Sequence, residues 1–231
     1  MNTTFSDLGI TKELTDALAL AGITEPTAVQ REVIPLIAAK KNIMFQSETG
    51  TGKTLAYLLP LIQRLETEEN PSKAVKILIA SPTYELAAQI KVQVQAVSKI
   101  KCALCIGGAP IARQIDMLKE KPQIVIGGAA RLLELIHLKK LKADNTEVLV
   151  LDEADRLLSP ELRDSTEGLL ERLPANVEFI GNSATVSDYT RKILQKARDG
   201  ITGGKYSEED AIKLVTLPLE DVLRKRIEHW A

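Results

Sequence analysis

From residue 42 onward, short and nearly continuous apolar runs alternate with longer segments of helical period. The runs lie at 42–46, 75–80, 102–106, 123–127, 147–151 and 177–181, and they favour β-branched or apolar residues throughout. A run with no polar face predicts a strand buried on both sides. Intervening segments long enough to be crossover helices predict an α/β domain with an open, mostly parallel sheet and helices on both faces. In such sheets ligands gather at the carboxyl ends of the strands. The turn after residue 46 and the segments after residues 151 and 181 are therefore expected on one edge.

The leading segment, residues 5–39, reads as two short helices, with Thr11 a cap for 12–21 and Pro26 near the start of the second. Pro60 falls inside the helix predicted after the turn and should kink it or end its first part. The composition shifts after Asp199. A Gly-rich loop at 200–204, a charged helix at 207–211 and a short apolar run at 212–217 follow, and 224–231 begins an element the chain does not finish. This divides the chain into 1–205, the main domain, and 206–231, a last strand and a connection onward.

At 231 residues, 45% hydrophobic and 26% charged, the chain has the composition of an ordinary globular domain. No apolar run approaches the ~20 residues of a membrane helix, and residues 1–10 lack a basic stretch followed by an apolar core. A cytoplasmic location is expected. The net charge of −1 excludes a grip on nucleic acid by overall basicity, so any such contact is local. Aromatics at 3% argue against a base-stacking platform and leave backbone contacts as the expected mode. Cys102 and Cys105 have the spacing of a metal or redox pair, but three residues apart on a strand they point to opposite faces, and no second cluster completes four ligands.

Candidate chemistry begins at Ser47-Glu48-Thr49-Gly50-Thr51-Gly52-Lys53-Thr54. Gly50 and Gly52 permit backbone angles that aim successive N–H groups at phosphate oxygens, and the following helix adds its N-terminal partial charge. Lys53 can reach terminal phosphates, and the Thr54 hydroxyl can ligate magnesium. Ser47 stands where the usual pattern has glycine, and a Gly-rich strand-to-helix turn with a solvated lysine is the alternative. The run at 147–151 ends in Asp152-Glu153-Ala154-Asp155. Acidic residues leaving a buried strand can hold magnesium and orient an attacking water, or simply cap the next helix.

Together these motifs resemble the first RecA-like domain of a DEAD-box RNA helicase. Asp152, Glu153, Ala154 and Asp155 spell the namesake motif, and SETGTGKT matches the P-loop pattern of a family that accepts Ser at its first position. Residues 22–30, GITEPTAVQ, resemble the adenine-reading Q motif, with Phe5 as its upstream aromatic, and Ser183-Ala184-Thr185 resembles the motif coupling hydrolysis to strand separation. The resemblance implies an RNA-stimulated ATPase that takes ATP and Mg2+, in which Lys53, Asp152 and Glu153 are catalytic. Phe5, Gln30, Ser47, Thr49, Gly50, Thr51, Gly52, Lys53 and Thr54 would hold nucleotide, Thr54 and Asp152 the metal. Asp155, Ser183 and Thr185 would couple the two activities. A glutamine amide can pair with adenine N6 and N7 at once. Phe5 would stack on the base or, alternatively, anchor the leading helices, and Ser183 to Thr185 could form a simple turn.

The RNA-facing motifs depart further. Pro82 and Thr83 fit the family's PTRELA segment, but Tyr84 stands where arginine is usual. Gly107 and Gly108 match, and of the TPGR segment only Arg131 remains. Pro82, Thr83, Gly107, Gly108 and Arg131 are the expected RNA contacts, made mainly to the backbone. The family also requires a second RecA-like domain bearing arginine fingers, so these 231 residues alone are expected to unwind little. Two rivals remain: a small-molecule kinase, which has no use for Gln30, and an adaptor that binds ATP or RNA with weak turnover.

Overall fold

The computed structural model describes residues 3–46, 50–69, 74–185, 192, 195 and 211–216. Ser47, Glu48 and Thr49 lie outside the described residues, as do 200–204, 224–231 and most of 207–211. Among the described residues there are seven strands: β1 (Ile43–Gln46), β2 (Ile77–Ala80), β3 (Cys102–Cys105), β4 (Ile124–Gly127), β5 (Val148–Leu151), β6 (Glu178–Ser183) and β7 (Lys213–Val215). They form one sheet in the order β3-β4-β2-β5-β6-β1-β7, every pairing parallel. β7, from the apolar run at 212–217, pairs with β1 and so belongs to this same sheet.

The helices are α1 (Lys12–Leu20), α2 (Ala28–Ala38), α3 (Lys53–Glu66), α4 (Tyr84–Val97), α5 (Ile111–Lys119), α6 (Ala129–His137), α7 (Ala154–Leu157) and α8 (Arg163–Leu170). Strand alternation sorts the core into two layers. Ile77 and Ile79 of β2 pack with residues of α1 to α4, whereas Leu78 and Ala80 pack with residues of α6, α7 and α8. Cys102 and Cys105 divide in the same way between the two layers, and both are free thiols. Burial pushes the Cys105 thiol up to about 11, consistent with a packed, inert residue.

Local chemistry fills in the expected helix ends, with Pro26 just before the start of the second helix as expected. Thr11 precedes α1, but its side chain makes no cap bond; its N–H donates to Gln63 Oε1 at 2.8 Å, and Gln63 Nε2 donates to Gly9 O at 2.9 Å. Thus a side chain on α3 fastens the leading segment. The second helix starts after Thr27, whose hydroxyl caps Gln30 N while Gln30 Oε1 accepts from Thr27 N. α3 runs on past Pro60. An interior proline costs ~3 kcal/mol or more. Burying Leu58, Leu59, Leu61 and Ile62 completely offsets that at about 1.5–3 kcal/mol per side chain.

The strand order decides what meets at the carboxyl edge. β5, β6 and β1 lie side by side, with Leu151 opposite Gly181 and Gln46 opposite Ser183. β3, β4 and β2 form the other half. β6 also extends two residues past its predicted end, placing Asn182 and Ser183 inside the sheet.

Candidate active site

At the end of β1 the chain turns through Gly50 and Gly52, at φ 80° and 84°, and enters α3 at Lys53. Gly52 is required twice. Its angle lies in the left-handed region, and a Cβ there would sit 2.6 Å from Gln30 Nε2. That closeness carries a bond, because Gln30 Nε2 donates to Gly52 O at 3.0 Å. Gln30, 2% exposed, therefore caps α2 with its oxygen and grips the phosphate turn with its nitrogen. One amide hydrogen and one lone pair remain for a base. Phe5, at 3% exposure, belongs to the core cluster with Ile10, Leu14 and Leu18, which favours the anchoring alternative over stacking on a base.

At the end of β5, Asp152 is 2% exposed, and Glu153 takes φ 55° and ψ 57°, a conformation that residues with a Cβ rarely hold. This turn brings the Glu153 carboxylate back toward α3. Its Oε1 lies 3.5 Å from Lys53 Nζ and its Oε2 accepts from Arg156 NH1 at 2.9 Å. The fully buried Asn182 joins the motif from β6: Nδ2 donates to Asp152 Oδ1 at 2.5 Å, and Oδ1 accepts from Glu153 N at 3.2 Å. Burial pushes the Asp152 carboxyl above its usual range; the Asn182 bond and the Lys53 charge pull it down, and Glu153 adds to the rise. Tyr57, buried one turn along α3, has its phenol pushed well up by burial and then by the charge of Asp152.

Sequence reading missed Asn182, Arg156 and Tyr57. Only Arg156 left a local signal, a cation three positions after Glu153 on a helical turn.

Asp155 Oδ2 accepts from Thr185 Oγ1 at 3.1 Å and from Thr185 N at 3.3 Å, so the segment just after β6 is also tied to the acidic motif. Ser183 does not reach Asp155. Its hydroxyl donates to Thr185 O at 2.5 Å, a local turn, while Gln46 Nε2 from β1 donates to Ala184 O at 3.1 Å. Ser47 and Thr49, expected in the phosphate turn, fall outside the described residues.

On the other half of the edge, the expected RNA contacts divide between side chains turned to the fold and exposed backbone. Thr83 caps α4 by accepting from Leu86 N at 3.3 Å, beside a half-buried Pro82. Gly107 and Gly108 are exposed, with Gly108 at φ 75°. Their loop is held from below: Gln114 Nε2 donates to Ile106 O at 2.8 Å, and Arg131 NH1 to Ala109 O at 3.1 Å. Arg131 also pairs with Glu134 at 2.8 Å, so its guanidinium holds a loop and is not displayed. Tyr84 stands 55% exposed beside them.

Among the described residues, no group of three His, Cys, Asp or Glu is placed to hold a metal alone. Magnesium is held by one or two carboxylates together with substrate phosphates, a requirement that one buried carboxylate beside the phosphate turn fits. Asp152 supplies the buried carboxylate such an ion would neutralise.

A sequence model of DEAD/DEAH box helicases matches residues 27–193. The chain is 38% identical over 197 residues to an ATP-dependent RNA helicase CshA of Listeria monocytogenes serovar 1/2a, covering 84% of this chain and 37% of that protein. It is 33% identical to a DEAD-box ATP-dependent RNA helicase CshA of Geobacillus kaustophilus, covering 84% and 42%. The chain thus spans about two fifths of these curated relatives. A crystal structure of a DEAD box protein from Methanococcus jannaschii superposes with TM-score 0.80 at 28% identity, covering 95% of this chain and 58% of that one. A hypothetical ATP-dependent RNA helicase from Sulfolobus tokodaii gives 0.75 at 26%, covering 90% and 57%. With the phosphate turn, the acidic motif and the Ser-Ala-Thr segment gathered at one edge of this sheet, and the family match running through all three, the chain belongs to the DEAD/DEAH box helicase family.

Proposed function

We propose that this domain binds ATP with Mg2+ and hydrolyses it as the motor of an ATP-dependent RNA helicase. The observation carrying this reading is the convergence of Lys53, Asp152 and Glu153 at the phosphate turn, with Lys53 Nζ 3.5 Å from the Glu153 carboxylate. A buried lysine paired with a carboxylate is a cation held in readiness, and a bound triphosphate offers it a better partner. Handing Lys53 to the phosphates releases one Glu153 oxygen to orient water. Magnesium, when bound, neutralises charge on the phosphates; Asp152 and Thr54 are the residues that would hold it. Gln30 would present its remaining donor and acceptor to adenine, and Gly50, Thr51 and Gly52 would line the phosphates.

Asp155 and Thr185 form the coupling contact in this reading, with Ser183 supporting the turn. RNA would lie over Pro82, Thr83, Gly107 and Gly108, with Arg131 acting by shaping that loop. A second RecA-like domain would supply the arginine finger; the greater length of the relatives supports this. Alone, the 231 residues would bind nucleotide and unwind little, since losing an arginine finger costs ~10³–10⁵ in rate. A cytoplasmic setting accords with two free thiols, and among the described residues no helix is long and apolar enough to cross a membrane. The adaptor reading draws on the inward turn of Thr83 and Arg131. Titration with fluorescent adenine and guanine nucleotides, with and without Mg2+, tests the proposal. Mg2+-dependent binding that favours adenine and disappears in Lys53→Ala is expected. Equal affinity for both bases would remove Gln30 from the reading, and no binding would remove the reading itself.

A further inference from the structure

Asn182 bridges two motifs with a single side chain. It is fully buried, its Nδ2 donates to Asp152 Oδ1, and its Oδ1 accepts from the backbone N–H of Glu153. An amide can donate and accept across this span, whereas an ionised carboxylate cannot donate and an apolar side chain does neither. The neighbours make the arrangement restrictive. Phe45 of β1 lies opposite Asn182 in the register, and Leu151, immediately before Asp152, lies opposite Gly181. The backbone of Glu153 is in the left-handed region, where it needs an outside contact to persist.

We infer that Asn182 is a positioning residue for the metal-phosphate chemistry: it sets the rotamer of the Asp152 carboxylate and holds the strained Glu153 turn, so that β6 orients both acidic side chains. This rests on the proposed magnesium role of Asp152. With Oδ1 engaged by the amide, Asp152 is oriented before any ion arrives. Partners that orient ligands in this way typically change metal affinity 10–100-fold when removed.

The test measures the Mg2+ concentration that half-saturates binding of a fluorescent ADP, with a parallel titration in EDTA, on the 231-residue chain. In Asn182→Ala the Mg2+ requirement should rise about 10–100-fold while affinity in EDTA stays unchanged. In an Asp152→Ala background the same substitution should raise the Mg2+ requirement no further, because that effect runs through Asp152. An unaltered Mg2+ requirement, or equal losses with and without Mg2+, overturns the inference. Absence of any Mg2+ effect in the unsubstituted chain overturns the metal site itself, and this role with it. Should Asn182→Ala fail to fold, the Asn182 side-chain amide is followed by NMR in the unsubstituted chain. It should shift with Mg2+ and ADP together and not with ADP alone; an unmoved resonance overturns the proposal.

Discussion

The two halves of the carboxyl edge are built from the same strands-and-turns plan, yet they spend their polar side chains differently. Beyond β5, β6 and β1, side chains from distant segments bind one another: Lys53 to Glu153, Asn182 to Asp152, Thr185 to Asp155. Beyond β3, β4 and β2, they bind backbone: Thr83 to its own helix, Gln114 and Arg131 to carbonyls of the glycine loop. The first half gathers buried charge whose arrangement is useful only with a ligand present. The second shapes a surface and leaves recognition to exposed backbone and Tyr84.

The largest break in this comparison comes from Glu153→Gln. The amide keeps size and hydrogen bonding but removes the base and both ion pairs with Lys53 and Arg156. Single-turnover ATP hydrolysis should fall by about 10²–10⁴-fold, the usual share of general base catalysis. Nucleotide affinity should not weaken, because Lys53 no longer has a competing carboxylate. Unchanged turnover would move water activation to another group.

Much of the first half was legible because buried strands and phosphate turns leave strong local patterns. The apolar runs at 42–46 and 147–151 located β1 and β5, and the glycines around Lys53 located the turn. Strand order was not legible, since each run is equally apolar and nothing local says that β6 lies between β5 and β1. Asn182 was lost for that reason: it looks like the polar end of a strand until Asp152 is known to sit beside it. The inward turn of Arg131 was hidden likewise, because its partner Ala109 lies 22 residues away on another strand's loop. Phe5 reads equally well as stacker or anchor, and only the packing of the leading helix favours the anchor.

Gln30→Glu sharpens the nucleotide half at a smaller scale. Glutamate keeps the capping box, so the melting temperature should move little. It loses the donor to Gly52 O and the donor available to a base. ATP affinity should fall by about 1–3 kcal/mol, and the preference for ATP over GTP should shrink with it. Retained adenine preference, read from competition titrations, would show that Gln30 serves the fold alone.

On the opposite half, Arg131→Met keeps the aliphatic stem and removes the guanidinium that holds Ala109 O and pairs with Glu134. A hydrogen bond to a charged group contributes about 1.5–3 kcal/mol, so thermal or urea unfolding should report a loss toward the lower end of that range for a partly exposed site. The salt dependence of RNA binding should keep its slope, since this guanidinium is not displayed to phosphates. A slope reduced by about 0.7 would instead count Arg131 as a direct contact.

The smallest expected effect is the most informative about the second half. Tyr84 is 55% exposed in the first turn of α4, next to the Thr83 cap and on the half of the edge that carries Gly107 and Gly108. Tyr84→Arg adds a cation there without disturbing a buried contact. If RNA passes along this edge by backbone contacts, the new guanidinium neutralises one phosphate, and the slope of log K against log salt should steepen by about 0.7 for a single strand. Affinity at low salt should rise, while nucleotide binding at the other half stays as it was. If Tyr84 already stacks on a base, the substitution removes about 1–3 kcal/mol of stacking, and RNA affinity at high salt should drop even as the slope steepens. Fluorescence anisotropy with a short single-stranded RNA at several salt concentrations separates these outcomes. A slope and an affinity both unmoved would mean that this half of the edge meets no RNA, and the likeness between the two halves would end at their strands.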